Sequence, residues 1–214
     1  FIYPQLYTFV QTDLELLSDK FQVISLNQKW SSKYLLPFNL IFQFFYLLFN
    51  LVKVDTILIS FGGYHSLLPA FFGKIFNKKI FIIVHGTDCV SFAEINYGNL
   101  RNPIMKFFIS NTYNLVDKIL PVSKSLVYTK NTYYAKTPKE FGYNYHLKNI
   151  TTPHKVIHNA VDHSFWYKDK NTIKDNNTFI SVLSNGKEHI KGIDLLCEVT
   201  SSFPNYKFFL AGID

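Results

Sequence analysis

Apolar residues in this chain fall into short unbroken runs separated by longer stretches of mixed polarity. The clearest run is Ile80-Phe81-Ile82-Ile83-Val84. Its length and its β-branched and aromatic content predict a strand, and the lack of polar alternation predicts burial on both faces. The run stops at His85-Gly86-Thr87-Asp88. In an open parallel sheet, the loops beyond the carboxyl ends of the strands line the ligand crevice. His85, Thr87 and Asp88 thus stand where such folds place their chemistry, and Gly86 lets the backbone turn there. A plain turn with a hydrogen-bonded histidine fits the same residues.

The pattern on either side predicts more of the same architecture. Phe1–Tyr3 is a short strand ended by Pro4. Thr8–Lys20 has helical spacing at Phe9, Val10, Leu14, Leu16 and Leu17, with Thr8 as a candidate N-cap. Gln22–Leu26 is a second strand, so the chain opens as β-loop-α-β, the start of a doubly wound sheet. Thr56–Ser60 is a third strand, and it ends in Phe61-Gly62-Gly63-Tyr64-His65-Ser66. A helix over Leu67–Phe76 then leads to the Ile80 strand. Two glycine-bearing loops on one sheet edge outline a cleft, with Gly62, Gly63 and Tyr64 as lining residues.

Pro103–Val116 is a helix with proline at its start, where the missing N–H costs little. Asp117–Ser123 is a short strand and turn, and Ser125–Tyr134 has the spacing of a helix. The stretch 135–152, rich in Pro, Gly, Asn and Tyr, carries no clear pattern. Lys155–His158 is a strand, followed by the turn Asn159–Asp162. Asp169–Asn177 is polar and reads as a linker. The pattern then restarts with a strand over Thr178–Leu183, a polar loop over 184–192, a helix over Ile193–Ser201 and a strand over Lys207–Ala211.

Composition narrows the function classes. Hydrophobic residues make up 48% of the 214 and charged residues only 17%, which excludes a disordered chain. The net charge of +7 favours anionic partners. No Lys/Arg block is long enough for a nucleic-acid arm, so nucleic acid is not expected as a partner. The segment from Leu35 to Val52 approaches the length of a transmembrane helix. Pro37, Asn39, Gln43 and Asn50 interrupt it, so a helix packed on the sheet with one face at an anionic membrane surface is the expectation. Cys89 and Cys197 form no metal spacing. Both are expected to be reduced, in a cytoplasmic protein peripheral to the inner face of the membrane. The chain opens without a signal peptide, and it is expected to lack residues at both ends.

Four segments, taken in order, carry a resemblance. The first is His85-Gly86-Thr87-Asp88 after the fourth strand. The second runs from Val116 through Asp117 and Ser123 to Leu126, and the third from Val156 through Asn159 and Asp162 to Phe165. The fourth runs from Ser184 to Leu195 and includes Lys191-Gly192-Ile193-Asp194. In this order and spacing the chain resembles the family 4-like (group 1) glycosyltransferases of the GT-B fold. The opening Tyr7-Thr8-Phe9 into Leu17 is similar to the first helix of some members.

The resemblance implies an α/β protein of GT-B-like build. A Rossmann-like domain over 1–165 would hold the acceptor. A linker over 166–177 would lead into the beginning of a second Rossmann-like domain over 178–214, for the nucleotide-sugar donor. Ser184, Asn185, Gly186, Lys187, Lys191 and Gly192 would bind the donor, and His85 would be catalytic. Thr87, Asp88, Ser123 and Asn159 would line the cleft with the glycine loop. The donor is a substrate; no cofactor and no metal are implied. A helix N-terminus flanked by lysines suits a diphosphate, although lysines in a loop are also ordinary solvated residues. Transfer with retention, to a glycan or lipid-linked acceptor of cell-surface polysaccharide, is the implied reaction.

The departures are specific. Asn185 stands where the family often has arginine, and Ala160 stands where the hinge usually has glycine. No glycine-rich loop follows the first strand. The resemblance implies that the paired glutamates that hold the donor would fall beyond residue 214, so the chain is expected to be inactive alone. A nucleotide-sugar epimerase of the same fold and a non-catalytic α/β binding module remain as alternatives.

Overall fold

The computed structural model of the chain describes residues 1–28, 30, 32–132, 139–167, 169, 171, 173, 175–183, 186 and 188–212. The chain divides into two compact units, Phe1–Ala160 and Val161–Asp214.

The first unit is built on one parallel sheet of five strands. These are β1 (Ile2–Tyr3), β2 (Leu26–Asn27), β3 (Thr56–Ser60), β4 (Lys79–Val84) and β5 (Lys118–Pro121). Their order is β2-β1-β3-β4-β5. The strand expected over Lys155–His158 runs beside β5: Lys155 N–H donates to the Ile119 carbonyl at 3.0 Å, and Ile157 N–H to that of Pro121 at 2.9 Å. Four helices connect the strands: α1 (Thr8–Ser18), α2 (Leu36–Asn50), α3 (Leu67–Ile75) and α4 (Pro103–Leu115). The step from β1 to β2 goes one way along the sheet and every later step goes the other. Right-handed crossovers then put α1 on one face and α2, α3 and α4 on the opposite face. Helix α3 packs against both α2 and α4. This is the Rossmann-like α/β layering expected from the sequence.

The two faces are not equally covered. Ile57, Ile59, Ile80, Ile82, Val84 and Ile119 are buried on one side. On the other, Leu58, Phe81, Ile83 and Leu120 are only half-buried. The β4 run, expected to be buried on both faces, is therefore fully buried on one. The reason is that α1 covers its face alone, leaving a cavity of about 540 Å³ lined by Leu17, Phe21, Leu58 and Phe81. Helix α3 approaches the sheet closely because Gly73 has no side chain: a Cβ there would lie 2.7 Å from Ile80 and 2.8 Å from Ile57. Helix α4 starts sharply, because the Asn102 side chain accepts from the N–H groups of Ile104 and Met105, with Pro103 as its first residue.

Two expectations change. The helix over Ser125–Tyr134 does not form in its described part. A single tight turn at Lys124–Leu126 leads into β6 (Thr129–Asn131), antiparallel to β7 (Lys139–Phe141). The β-branched and aromatic residues Val127, Tyr128 and Thr129 suit a strand better than a helix interior. A short helix α5 (Tyr143–His146) follows. The second strand also shrinks to Leu26–Asn27, with Gln22–Ile24 along the rim of the cavity.

The second unit is a parallel β-α-β: β8 (Thr178–Val182), α6 (Ile193–Ser202) and β9 (Lys207–Ala211). None of the α6 side chains is buried, and Phe179, Ile180, Val182 and Phe209 are each at least half exposed. Two strands are marginal on their own. Amide hydrogen exchange is therefore expected to be slow through Ile80–Val84 and fast through β8 and β9. Equal protection in both places would show that the second unit is covered in solution.

Candidate functional site

Because β3 and β4 are adjacent and parallel, the loops after Ser60 and Val84 leave the sheet side by side. Loops that turn this sharply strand backbone N–H groups away from both the ladder and water. One side chain collects them. Asp88 Oδ2 accepts from Gly62 N–H at 2.8 Å, and Oδ1 accepts from His85 N–H at 3.2 Å and Gly86 N–H at 3.0 Å. The Tyr113 hydroxyl, on α4, donates to Oδ2 at 3.2 Å. Asp88 is fully buried. Expected to line the cleft, it instead faces inward and supports the loops from beneath. Gly62 is needed for this approach: a Cβ there would meet the Tyr113 ring at 3.0 Å. Gly86 has φ +135, a conformation side chains resist.

His85 stands above that support. Its Nε2 lies 3.0 Å from Ser60 Oγ. Its Nδ1 is buried without a hydrogen-bond partner among the described residues. The ring sits between Phe9 and Phe61, with centroids at 4.6 and 4.3 Å. Tyr7 completes the cluster, 5.5 Å from Phe9 and 5.7 Å from Phe61. Burial lowers the pKa of His85 and the Asp88 charge opposes this, with a net downward shift. The imidazole is therefore neutral at pH 7, a hydrogen-bonding group and not a cation.

Phe61 has φ 64, a left-handed conformation that costs a bulky residue about 1 kcal/mol or more. Its N–H bond to the Ile83 carbonyl at 2.9 Å and its contacts with His85, Phe9 and Tyr7 hold it there. Tyr7 and Phe9 follow β1, and Phe61 follows β3. The direction of strand succession reverses between β1 and β3, so this cluster marks the topological switch point where open α/β sheets bind ligands. The sequence pattern does not mark Tyr7, Phe9, Phe61 and Ser60 as a group. Aromatic residues just past two strand ends were a visible signal, but only the β1–β3 neighbourhood brings them together.

The other expected residues scatter around this centre. Tyr64 meets Phe108 edge-on at 5.2 Å, and the Thr87 carbonyl accepts from Asn99 N–H at 2.6 Å. Gly63 N–H donates to Ser66 Oγ at 3.0 Å. Ser123 caps the short turn after β5 by accepting from Ser125 N–H at 3.3 Å. Asn159 lines a small cavity of about 50 Å³ with Asp13, His158 and the apolar side chains of Ile83, Leu120, Val122 and Ile157. Burial raises the carboxyl pKa of Asp13. Asp13 is one helical turn beyond Phe9, so α1 presents both on one face. A half-buried carboxyl in a cleft is a candidate functional group; in the sequence it resembles any solvated acid on a helix.

In the second unit, Gly186 N–H donates to Glu188 Oε1 at 2.6 Å. Lys191 ends the turn Glu188–Lys191, and Gly192, with φ 72, leads into α6. Ser184, Asn185 and Lys187 lie outside the described residues. Glu188, which nothing in the sequence pattern sets apart, occupies one of the N–H groups that an anion would use. Among the described residues no group of His, Cys, Asp and Glu could hold a metal ion. No protein-family model matches the chain, and no curated protein matches it at a significant level.

Two outcomes follow from the buried groups. Replacing Asp88 with alanine strands three backbone donors and leaves the Tyr113 hydroxyl only the residue-88 carbonyl at 3.3 Å. Stability in urea is expected to fall by about 3 kcal/mol or more, and an unchanged midpoint would remove Asp88 from this role. His65 is also buried, donating from Nε2 to the Ser60 carbonyl at 2.9 Å, and burial lowers its pKa to about 4. Unfolded, it titrates at the ordinary 6.5. The unfolded chain therefore binds the extra proton, and stability is lost as pH falls from 6.5 to 4, by about 3 kcal/mol in full. Urea midpoints across that range should show the loss, and His65→Gln should flatten it.

Proposed function

We propose that this chain belongs to a nucleotide-sugar-dependent glycosyltransferase, with its acceptor side in Phe1–Ala160 and the start of its donor side beyond. Two lines support the reading. The four segments of the resemblance occur in order, and His85 lies beside the glycine loop on the edge where α/β sheets take their ligands. The observation that carries it is the state of His85 itself. One ring nitrogen is engaged by Ser60, while the other is buried with no protein partner among the described residues. A neutral imidazole held in this way suits a hydrogen bond to a hydroxyl of a sugar.

In the reaction, the acceptor oxygen bonds to the anomeric carbon as that carbon's bond to the diphosphate breaks. The acceptor proton passes to the departing diphosphate, and configuration is retained. The accumulating negative charge needs fixed positive partners. Lys191 and the N-terminal N–H groups of α6 would supply that chemistry in the proposed donor loop; Ser184, Asn185, Gly186, Lys187 and Gly192 join the donor set through the resemblance. Glu188 works against a diphosphate at Gly186, and its side chain must turn away for the anion to use that N–H.

The test has two parts. Calorimetric titration of nucleoside diphosphates into the 214-residue chain should find one that binds, and Lys191→Glu should abolish the binding. If no nucleotide binds, Lys191 and the start of α6 are not a diphosphate site. In a preparation with measurable sugar transfer, His85→Ala is expected to lower turnover about 100-fold with an unchanged circular dichroism spectrum. The acid limb of the wild-type pH profile should lie below that of a free imidazole, because burial disfavours protonation. Full transfer by the variant would reduce His85 to a packing residue.

A further inference from the structure

Helix α2 is amphipathic in the wrong sense for a helix facing water. Phe38, Phe42, Phe45 and Phe49 follow one another at helical spacing, and each is more than half exposed. Tyr34, Leu35, Ile41 and Val52 extend the same exposed apolar surface. The polar residues go the other way. Gln43 is fully buried and donates to the His65 carbonyl at 2.9 Å. Asn39 and Asn50 are half-buried, and Asn50 donates back to the Tyr46 carbonyl at 2.8 Å. The patch continues onto α3. Phe44 meets Phe72 at 5.2 Å, and Phe71 and Ile75 beside it are about half exposed. An aromatic surface of this extent is far from the scattered exposure of an ordinary soluble face.

The charges around it point to one occupant. Helix α2 contains no charged residue, and its described residues carry no carboxylate to repel an anion. Residues 30–79 hold five lysines (Lys33, Lys53, Lys74, Lys78, Lys79) against one acid, Asp55, and of these Lys74 is paired with Asp117. Lys53 and Lys78 form no ion pair among the described residues. An interface with another protein carries hydrogen-bonding groups at its rim and through its area; the Phe38–Phe49 stripe offers none. Aromatic side chains flanked by lysines match the boundary between lipid headgroups and acyl chains.

Leu36–Lys53 is long and apolar enough to cross a bilayer, and only 17% of it is buried. Crossing is nonetheless incompatible with this fold, because Gln43, Leu47 and Leu51 are buried against the rest of the domain. We propose that the outward face of α2, with Phe71 and Ile75 of α3, docks onto an anionic lipid membrane, α2 lying in the plane of the surface. The inference does not depend on the sugar-transfer reading.

Cosedimentation with vesicles tests it. The 214-residue chain should pellet with vesicles of phosphatidylcholine mixed with phosphatidylglycerol. It should bind pure phosphatidylcholine less, and added salt should release part of it. The double variant Phe42→Ser/Phe49→Ser should stay in the supernatant, with an unchanged circular dichroism spectrum and urea midpoint. Lys53→Glu/Lys78→Glu should lower binding to the mixed vesicles to the level of the neutral ones. Absence of binding at low salt, or full binding by the double phenylalanine variant, overturns the proposal. So does a concentration-dependent dimer in sedimentation velocity that the phenylalanine variant abolishes while vesicles are ignored; the face is then a contact between two copies.

Discussion

The first unit depends on a carboxylate that never meets water. Two glycine loops leave neighbouring strands at the same edge, and each would leave amide protons unpaired in an apolar setting. Asp88 takes one from Gly62 and two from His85 and Gly86, and Tyr113 adds its hydroxyl. Burying a charge is costly unless hydrogen bonds replace its hydration, and here four of them do. The arrangement makes β3, β4 and α4 one unit at the edge. It also fixes the backbone of His85, so that the imidazole is placed by the same bond that closes the loop.

The consequence is a rigid platform under a small aromatic cluster. Phe9, Phe61 and Tyr7 surround His85 with apolar rings, which lower its pKa and leave it neutral. Phe61 holds an unfavourable backbone angle to do so. Strain kept at the switch point of a sheet is a common companion of binding. Asp13 and Asn159 continue the polar edge around a second, smaller cavity.

The opposite character of α2 follows from a competition within the domain. The turn around His65 leaves a carbonyl that needs a donor, and Gln43 supplies it from the inner face of α2. With the polar side chain drawn inward, the phenylalanines occupy the outer face. The helix therefore trades solubility for a firm hold on the loop that follows β3, and that hold connects the exposed apolar face to the site edge.

Much of the fold was legible in the sequence. The runs Thr56–Ser60 and Ile80–Val84, the helix after Pro103 and the final β-α-β lie where periodicity and capping put them, because those signals are local. The pairing of the two strand-end loops on one edge was also readable, since β-α-β connections make adjacent parallel strands. What depended on distant partners was not. Nothing near Asp88 in the chain says that its carboxylate faces Gly62 and not solvent. Similarly, the spacing of Phe38, Phe42, Phe45 and Phe49 marks a helix face but not the side it turns to. The hairpin β6–β7 was lost because a short apolar run suits both helix and strand until a partner settles the matter. The sequence determined which elements form; the tertiary structure decided which polar groups are satisfied inside and which apolar ones are left outside, because burial belongs to the packed whole and not to any segment of it.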